Sequence, residues 1–511
     1  MQTGGNDAFG SIPFYCNTSR GKTQDVVDFF LQTRYNGDKS TEQSRKSPMS
    51  MMQNKGCDPA AIREYLALCA RDGVTLRSFR LYRKGKTLSA DFTPHRADDR
   101  MHLYSLSKSF TSVAVGIAQE MGFLHVSERM LDIFPECAPP EISENLAAMT
   151  LGDVLSMQSG HEVCHLDKMR LSEDAVRTFL AMPVVYRPGT TFVYSTGGTC
   201  VCGAAVEKRS GMKLNDFLQA HLFSKLGIQR PRALCLADGR HCGGTGMFLS
   251  ADDVFKFGMM LLHGGVYEGQ RIVSEEWLRG ATSPIADNSS NGTPDWVVGY
   301  GYQFWRNARG GFRGDGAFGQ LCVVLPEEDT VVVQLAEAAN MQQELSDIYT
   351  LLDAIDRGGS DAGEPIDAAH PALNGAFLHG GSKEIASYQY KENPAELRSA
   401  ALSVGADGVL TVRFETAYGV QILRAGGGEW VESSPFLRYC NPSINQLDPH
   451  FGWIEELHIR SSFAVEGDTV RVLCKHSDTP HTQTFLFTPD ALRISANLGD
   501  LHPQVKEIPC R

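Results

Sequence analysis

A change of residue pattern near position 360 is the feature that most constrains the fold. Residues 358–365 read Gly-Gly-Ser-Asp-Ala-Gly-Glu-Pro, a composition typical of a domain boundary. Before this stretch, apolar residues at helical spacing alternate with strand-like runs, whereas beyond about residue 370 only short strand-like runs occur. We therefore expect a polar N-terminal extension at 1–56, a mixed domain at 57–357, a linker at 358–369 and a β-rich domain at 370–511.

The mixed domain is predicted to be an antiparallel sheet flanked by helices. Asp58 and Pro59 are a typical N-cap and first helical residue. Strands are predicted at 75–82, 86–92, 321–325 and 330–335, a largely helical stretch between 100 and 270, and a helix at 341–355. In the last part, strands are predicted at 397–404, 409–414, 420–423, 469–474 and 482–487. The fold class is therefore α/β of the α+β type, with a C-terminal all-β domain.

Composition narrows the classes of partner and compartment. The 511 residues carry 48 Lys and Arg against 60 Asp and Glu, a net charge of -12, which argues against nucleic acid or an anionic membrane as a partner. No apolar run approaches the roughly 18 residues of a membrane span, and the first residues show no export signal. Thirteen scattered cysteines indicate free thiols in a reducing compartment. We expect a cytoplasmic protein with a small-molecule substrate; a homo-oligomer is left open.

Ser105 and Lys108 occupy the start of a predicted helix. An apolar stripe runs from Phe110 to Met121, and Gly122 ends the helix. Ser105 thus lies at the helix N-terminus, where free N–H groups stabilise an oxyanion, and Lys108 lies one turn later on the same face. A desolvated lysine favours the neutral amine, which can deprotonate a serine hydroxyl. The alternative is a helix-capping serine beside a solvated lysine.

Five segments in order resemble one family of enzymes. Residues 103–111, 151–161, 188–196, 243–253 and 314–320 are similar to successive motifs of the β-lactamase-related serine hydrolases. That group includes class C β-lactamases, D-Ala-D-Ala carboxypeptidases, related esterases and aminohexanoate-oligomer hydrolases. The resemblance implies the β-lactamase/transpeptidase-like fold and hydrolysis of an ester or amide through an acyl-enzyme on Ser105, with no cofactor.

The resemblance also implies roles for individual residues. Tyr194 matches the tyrosine that shuttles a proton beside the Ser-Lys pair, and we expect the Lys108 cation to ease loss of its phenolic proton. The main-chain N–H groups of Ser105 and Ala317 match the oxyanion hole. Thr196, Asp315 and Gly316 match substrate-binding positions.

Two of these motifs depart from the family's pattern. Thr196 stands where the family usually has Asn, and Gly314-Asp315-Gly316 keeps only the final Gly of a Lys/His-Thr/Ser-Gly motif. The missing cation normally helps to hold a substrate carboxylate, and Asp315 would repel one. Strand alternation points Arg313 away from the face of Gly314, and a salt bridge between Arg313 and Asp315 is the structural alternative. We therefore predict a small neutral or cationic ester or amide substrate rather than a β-lactam.

Two further hypotheses belong to other classes. Residues 161–165 read His-Glu-Val-Cys-His, the HExxH pattern of zinc proteases, but Ser159-Gly160 disfavours a long helix and no third ligand is evident. We expect no metal, and the resemblance implies that this stretch is a loop near the rim of the active site. The departures at Thr196 and Gly314 also leave open a catalytically weak binding or scaffold protein.

Overall fold

The computed structural model describes residues 52–357, 369–373, 383–417, 419–434, 458–498 and 507–511. Residues 1–51 of the predicted extension and 358–368 of the predicted linker lie outside the described residues. In the part of the chain that is described, no helix has both the length and the apolar composition to cross a membrane. The four domain boundaries stay predictions. We refer to residues 52–357 as the α+β domain and to the described residues from 383 onwards as the β domain.

The α+β domain contains a set of mostly short strands and a set of helices. The strands are β1 (Gln53–Lys55), β2 (Thr75–Arg83), β3 (Lys86–Asp91), β4 (Met101–His102), β5 (Arg232–Ala233), β6 (Met247–Leu249), β7 (Val266–Tyr267), β8 (Gln270–Arg271), β9 (Trp305–Arg306), β10 (Phe312–Gly316), β11 (Gln320–Leu325) and β12 (Thr330–Glu337). The helices are α1 (Pro59–Arg71), α2 (Ser107–Glu120), α3 (Met130–Ile133), α4 (Glu144–Ala148), α5 (Leu151–Leu155), α6 (Leu166–Met169), α7 (Ala175–Ala181), α8 (Thr196–Ser210), α9 (Leu214–Leu218), α10 (Ala251–Leu262), α11 (Glu275–Ala281) and α12 (Met341–Arg357).

The main sheet is antiparallel and has helices on both faces. Its order in the described chain is β1-β3-β2-β12-β11-β10-β9. Alternate residues of β11 and β12 point to opposite faces. One set, including Val323 and Val332, packs against α1 and α12, and the other, including Val324 and Val333, shares a core with α2 and α10. The apolar runs of these strands are therefore buried on both sides, and the predicted fold class is confirmed.

Helix α2 lies in the second of these cores and positions the candidate nucleophile. Every residue from Ser107 to Ala118 is buried. Phe110 of α2 stacks on Phe257 of α10 at 4.0 Å between ring centroids. Because α2 is enclosed by the sheet on one side and by helices on the other, its N-terminal turn is held at a fixed place beside β10.

The β domain is a curled, mostly antiparallel sheet with its own apolar core; only β16 and β18 pair in parallel among its described strands. Its strands are β13 (Lys383–Gln389), β14 (Leu397–Val404), β15 (Val409–Thr416), β16 (Gly419–Gly426), β17 (Val431–Ser433), β18 (Ile459–Glu466), β19 (Thr469–His476), β20 (Thr482–Phe487), β21 (Ala491–Ala496) and β22 (Glu507–Pro509). The sheet curls until its ends meet, since Tyr390 bridges to Cys510 and the Arg511 N–H donates to the Gln389 carbonyl oxygen at 2.8 Å. All the strands predicted for this part are present.

Candidate active site

The nucleophile turn brings Ser105 and Lys108 together as predicted. Ser105 lies in a 3-10 turn, Tyr104–Leu106, that leads directly into α2. Lys108 Nζ lies 3.0 Å from Ser105 Oγ. Ser105 is partly exposed, whereas Lys108 has only 1% of its surface accessible. The hydroxyl is thus open to a substrate while the amine behind it is shielded from water.

Three further groups surround the Lys108 amine. Its Nζ lies 3.0 Å from Thr196 Oγ1 and 2.5 Å from the Gly244 carbonyl oxygen, and 4.9 Å from the centre of the Tyr194 ring. Burial lowers the pKa of Lys108 to about 8, because removal from water penalises the charged form. A minor fraction of the amine is therefore neutral near physiological pH and can accept a proton.

The Gly244 carbonyl is a member of the site that sequence reasoning missed. A Cβ on Gly244 would lie 2.4 Å from the Thr196 carbonyl oxygen, so only glycine lets this loop approach α8. The glycine pair at 243–244 lay within a recognised motif, but a main-chain acceptor leaves no side-chain signal in the sequence.

Tyr194 lies beside Lys108, but the expectation that its phenol ionises more easily is wrong. It directly precedes Ser195, the N-cap of α8, whose side chain accepts a hydrogen bond from the Gly198 N–H at 3.0 Å. Burial and the nearby Asp315 carboxylate raise the pKa of Tyr194, with a contact to Ser105 acting in the opposite direction. The prediction that the phenol would lose its proton more easily considered only Lys108, whereas the burial has the larger effect. The hydroxyl therefore stays protonated at neutral pH.

Aromatic rings form the wall of the site behind Tyr194. The Tyr194 ring stacks on Trp305 with 5.5 Å between centroids and an interplanar angle of 21°. Tyr300 and Phe192 pack edge-on against Trp305, at 4.7 and 5.8 Å. These contacts fix the direction of the Tyr194 hydroxyl and give the site an apolar side.

Strand β10 runs beside the nucleophile turn at very close range. A Cβ on Gly314 would lie 2.5 Å from both Leu106 Cδ1 and Ser109 Oγ, and one on Gly316 would lie 2.0 Å from the Leu103 carbonyl oxygen. Both glycines are therefore required by the close packing of β10 against the nucleophile turn and the start of α2. Ala317 directly follows the last residue of β10 and is exposed.

Asp315 is paired with Arg313 on one face of β10. The Arg313 Nε donates to Asp315 Oδ2 at 3.0 Å, and neither side chain is more than 7% exposed. Arg313 also donates to the Asp295 carbonyl oxygen at 2.9 Å and lies 4.3 Å from the Trp296 ring. Burial raises the pKa of Asp315 while Arg313 opposes the shift. The structural alternative for this pair is confirmed, so Asp315 does not present an uncompensated anion.

Residues 161–165 do not form the helix that the HExxH pattern requires. Helix α6 begins only at Leu166, and His161 is buried with Nδ1 3.0 Å from Ser159 Oγ and Nε2 3.2 Å from the Phe179 carbonyl oxygen. Both ring nitrogens thus already contact protein groups. Among the described residues, no cluster of three or more His, Cys, Asp or Glu side chains has the arrangement to hold a metal ion. The zinc-protease hypothesis therefore lacks its structural basis.

Comparison with known proteins agrees with this geometry. Residues 60–355, more than half of the chain, match the sequence profile of the family described as Beta-lactamase. A 6-aminohexanoate-dimer hydrolase from Paenarthrobacter ureafaciens is 26% identical over 270 residues, covering 48% of this chain and 68% of that protein. A lovastatin esterase from Penicillium rubens is 27% identical over 169 residues, covering 28% of this chain and 41% of the esterase.

A solved structure shows the same fold. A protein from Bacteroides dorei DSM 17855, described as a "putative beta-lactamase", superposes with a TM-score of 0.50 at 15% identity, covering 59% of this chain and 99% of its own. The chain belongs to the beta-lactamase family. It is a serine hydrolase, as the order of its motifs predicted. The β domain lies outside the residues that the family profile matches.

Proposed function

We propose that this enzyme hydrolyses an ester or amide bond of a small neutral substrate through an acyl-enzyme on Ser105. The observation that carries the proposal is the 3.0 Å approach of a buried Lys108 amine, with its pKa lowered to about 8, to the partly exposed Ser105 hydroxyl. A neutral amine at this distance is a general base for the serine. The role of each residue below is part of the proposal.

In the first half-reaction, Lys108 takes the Ser105 proton as Oγ attacks the substrate carbonyl carbon. The resulting oxyanion is stabilised by the N–H group of Ser105, in the turn before α2, and by that of Ala317, directly after β10. Tyr194 passes its hydroxyl proton to the leaving group and takes the proton held by the Lys108 ammonium, so Tyr194 stays protonated and the Lys108 amine is neutral again. Water then attacks the acyl-enzyme and gives a proton to Lys108, which returns it to Ser105 Oγ as the acid is released.

The charges around the site favour a neutral substrate. The Asp315 carboxylate is compensated by Arg313, and the Tyr194, Tyr300 and Trp305 rings provide an apolar wall. A cationic substrate therefore gains less binding free energy from Asp315 than the sequence suggested. An anionic substrate would find no cation at the position of the family's third motif. Thr196 is the substrate-binding position that also contacts Lys108. One relative is named as the hydrolase of a dimer and another as an esterase, which supports both bond types.

The test is a comparison of substrate classes with matched serine variants. Short-chain p-nitrophenyl esters, D-amino-acid amides and a chromogenic cephalosporin are assayed side by side with the wild type, Ser105→Ala and Ser112→Ala. Ser112 is a buried serine of the same helix, so its variant controls for damage to α2. We expect the highest kcat/KM with neutral esters and a loss of at least about 1,000-fold in Ser105→Ala alone. Activity retained in Ser105→Ala contradicts the proposal, and a preference for the cephalosporin contradicts the substrate class.

A further inference from the structure

The loop between β19 and β20 of the β domain is buried against the α+β domain. Residues 477–481 form this loop, and each of them is buried, although the tip of a hairpin usually faces solvent. We call it the 477–481 loop. The His102 N–H of β4 donates to the Asp478 carbonyl oxygen at 2.8 Å, and Arg232 of β5 lies 3.5 Å from the Asp478 carboxylate.

A buried ion pair anchors this loop. Arg77 of β2 donates to the carbonyl oxygens of Thr479 at 2.5 Å and His481 at 2.9 Å, and pairs with Glu337 of β12 at 2.7 Å. Glu337 in turn accepts a hydrogen bond from Thr482 Oγ1 at 2.8 Å. Arg77 is 0% and Glu337 2% exposed, so these charge-assisted hydrogen bonds are shielded from water and hold the loop to the main sheet.

The His481 side chain extends from the 477–481 loop and contacts Tyr104 and Phe318. Its Nε2 lies 3.1 Å from the Tyr104 hydroxyl, and its ring packs edge-on against Phe318 with 5.3 Å between centroids. Tyr104 and Phe318 also contact each other at 5.4 Å, nearly perpendicular. Three rings from three distant parts of the chain therefore form one cluster, in which Tyr104 and His481 are buried and Phe318 is half-buried.

The two residues that contact His481 are the neighbours of the two proposed oxyanion donors. Tyr104 directly precedes Ser105, and Phe318 directly follows Ala317. Both have left-handed backbone conformations, with φ of 47° and 67°. Such conformations cost a non-glycine residue on the order of 1–3 kcal/mol and persist only where the surroundings hold them in place. The side chains of both residues are held by the same histidine.

We propose that His481 is a positioning residue for the oxyanion hole, so that the β domain supplies part of the active-site scaffold. This inference rests on the proposed function, because it assumes that Ser105 and Ala317 are the oxyanion donors. His481 does not touch the reacting atoms. It holds the nucleophile turn and the turn after β10 at a fixed separation, and this separation sets the distance between the two N–H groups.

The test uses the full-length protein and the rate of fluorophosphonate labelling, which does not depend on the natural substrate. His481→Ala removes the hydrogen bond and the ring contact, His481→Gln keeps a polar atom near the position of Nε2, and Tyr104→Phe removes only the hydroxyl. Because misplacement of catalytic groups by about 1 Å can cost about 100-fold, we expect His481→Ala to slow labelling by about 10- to 100-fold. We expect a smaller loss in Tyr104→Phe and partial recovery in His481→Gln. With an ester substrate, the loss should appear in kcat and not in KM.

A matched control separates positioning from general loosening. His370→Ala removes a hydrogen bond to the Leu76 carbonyl oxygen, at 2.7 Å, and a ring contact with Phe92, and it removes neither of the two contacts that His481 makes. Labelling of His370→Ala at the wild-type rate supports the inference, whereas a loss equal to that of His481→Ala overturns it. Wild-type labelling rates in Tyr104→Phe and His481→Ala also overturn it. If His481→Ala does not fold, the labelling rate of Tyr104→Phe tests the inference, because this variant loses only the hydroxyl and keeps the packed ring. A wild-type protein that is never labelled overturns the proposed function itself, and this inference with it.

Discussion

The two sides of the active site differ in how closely they follow the family's pattern. On the nucleophile side, Ser105, Lys108 and Tyr194 match the family's motifs, and the structure brings all three together. On the strand side, β10 has Gly314 and Asp315 where the family has a cation and a hydroxyl residue. The buried partner of Asp315 is Arg313, which points away from the face of Gly314.

This difference separates the chemistry of the site from its recognition of substrate charge. In the proposed mechanism, activation of Ser105 by Lys108 does not depend on the substrate, since the position of the Lys108 amine depends on α2 and on the Gly244 carbonyl. The strand side would instead determine whether the site accepts a neutral, cationic or anionic substrate. Replacement of the family's cation by an internally neutral Arg313–Asp315 pair therefore changes the expected substrate without disturbing the base.

The largest effect should follow from removal of the base on the nucleophile side. Lys108→Met keeps much of the side chain's volume but has no amine, so Ser105 Oγ loses its proton acceptor. We expect kcat with an ester to fall by about 100- to 10,000-fold, the range of general base catalysis. Steady-state kinetics on a variant with an unchanged thermal midpoint tests this. A decrease below tenfold would mean that another group acts as the base.

On the strand side, the expected effect is on stability. Arg313→Ala leaves Asp315 buried beside the site without its partner, and breaking a buried ion pair in this way costs about 3–5 kcal/mol of unfolding free energy. Urea denaturation measures this loss. The double variant Arg313→Ala/Asp315→Ala should recover much of it, because no buried charge is then left uncompensated. A single variant within about 1 kcal/mol of the wild type would show that the pair is not a structural unit.

The pH dependence gives the smallest of the three effects and tests both sides together. Lys108 has its pKa lowered to about 8, and its neutral form is the base, so kcat/KM should rise with pH and level off above about 8. Below that value the rate should change by about tenfold per pH unit. The raised pKa of Tyr194 predicts no decrease from phenol ionisation below pH 10. A profile that falls between pH 7 and 9 would contradict the assignment of Lys108 as the base.

Much of the fold was predictable because its signals are local. The strands β2, β3, β11 and β12 have apolar runs bounded by turns, and α2 has a continuous apolar stripe. Strand β18 was not predicted, because its Ser461 and Ser462 are typical of turns. In the structure both are buried, and Ser462 Oγ accepts a hydrogen bond from the Leu373 N–H at 3.0 Å. That contact depends on residues distant in sequence.

The active site also combines residues with local sequence signals and contacts between residues that are distant in sequence. Motif order indicated Ser105, Lys108 and Tyr194, and strand alternation indicated that Arg313 and Asp315 share a face. The raised pKa of Tyr194 depends on burial, which a residue pattern does not reveal. The contact of His481 with Tyr104 joins residues far apart in the chain and on different domains, so no motif contains both.

The central claim, an acyl-enzyme on Ser105, is tested most directly by mapping the covalent adduct. The wild-type protein is treated with a fluorophosphonate, digested and analysed by tandem mass spectrometry. We expect a single stoichiometric adduct on the peptide that contains Ser105, assigned to that residue and absent from Ser105→Ala. An adduct on a different serine, or equal labelling of Ser105→Ala, would contradict it.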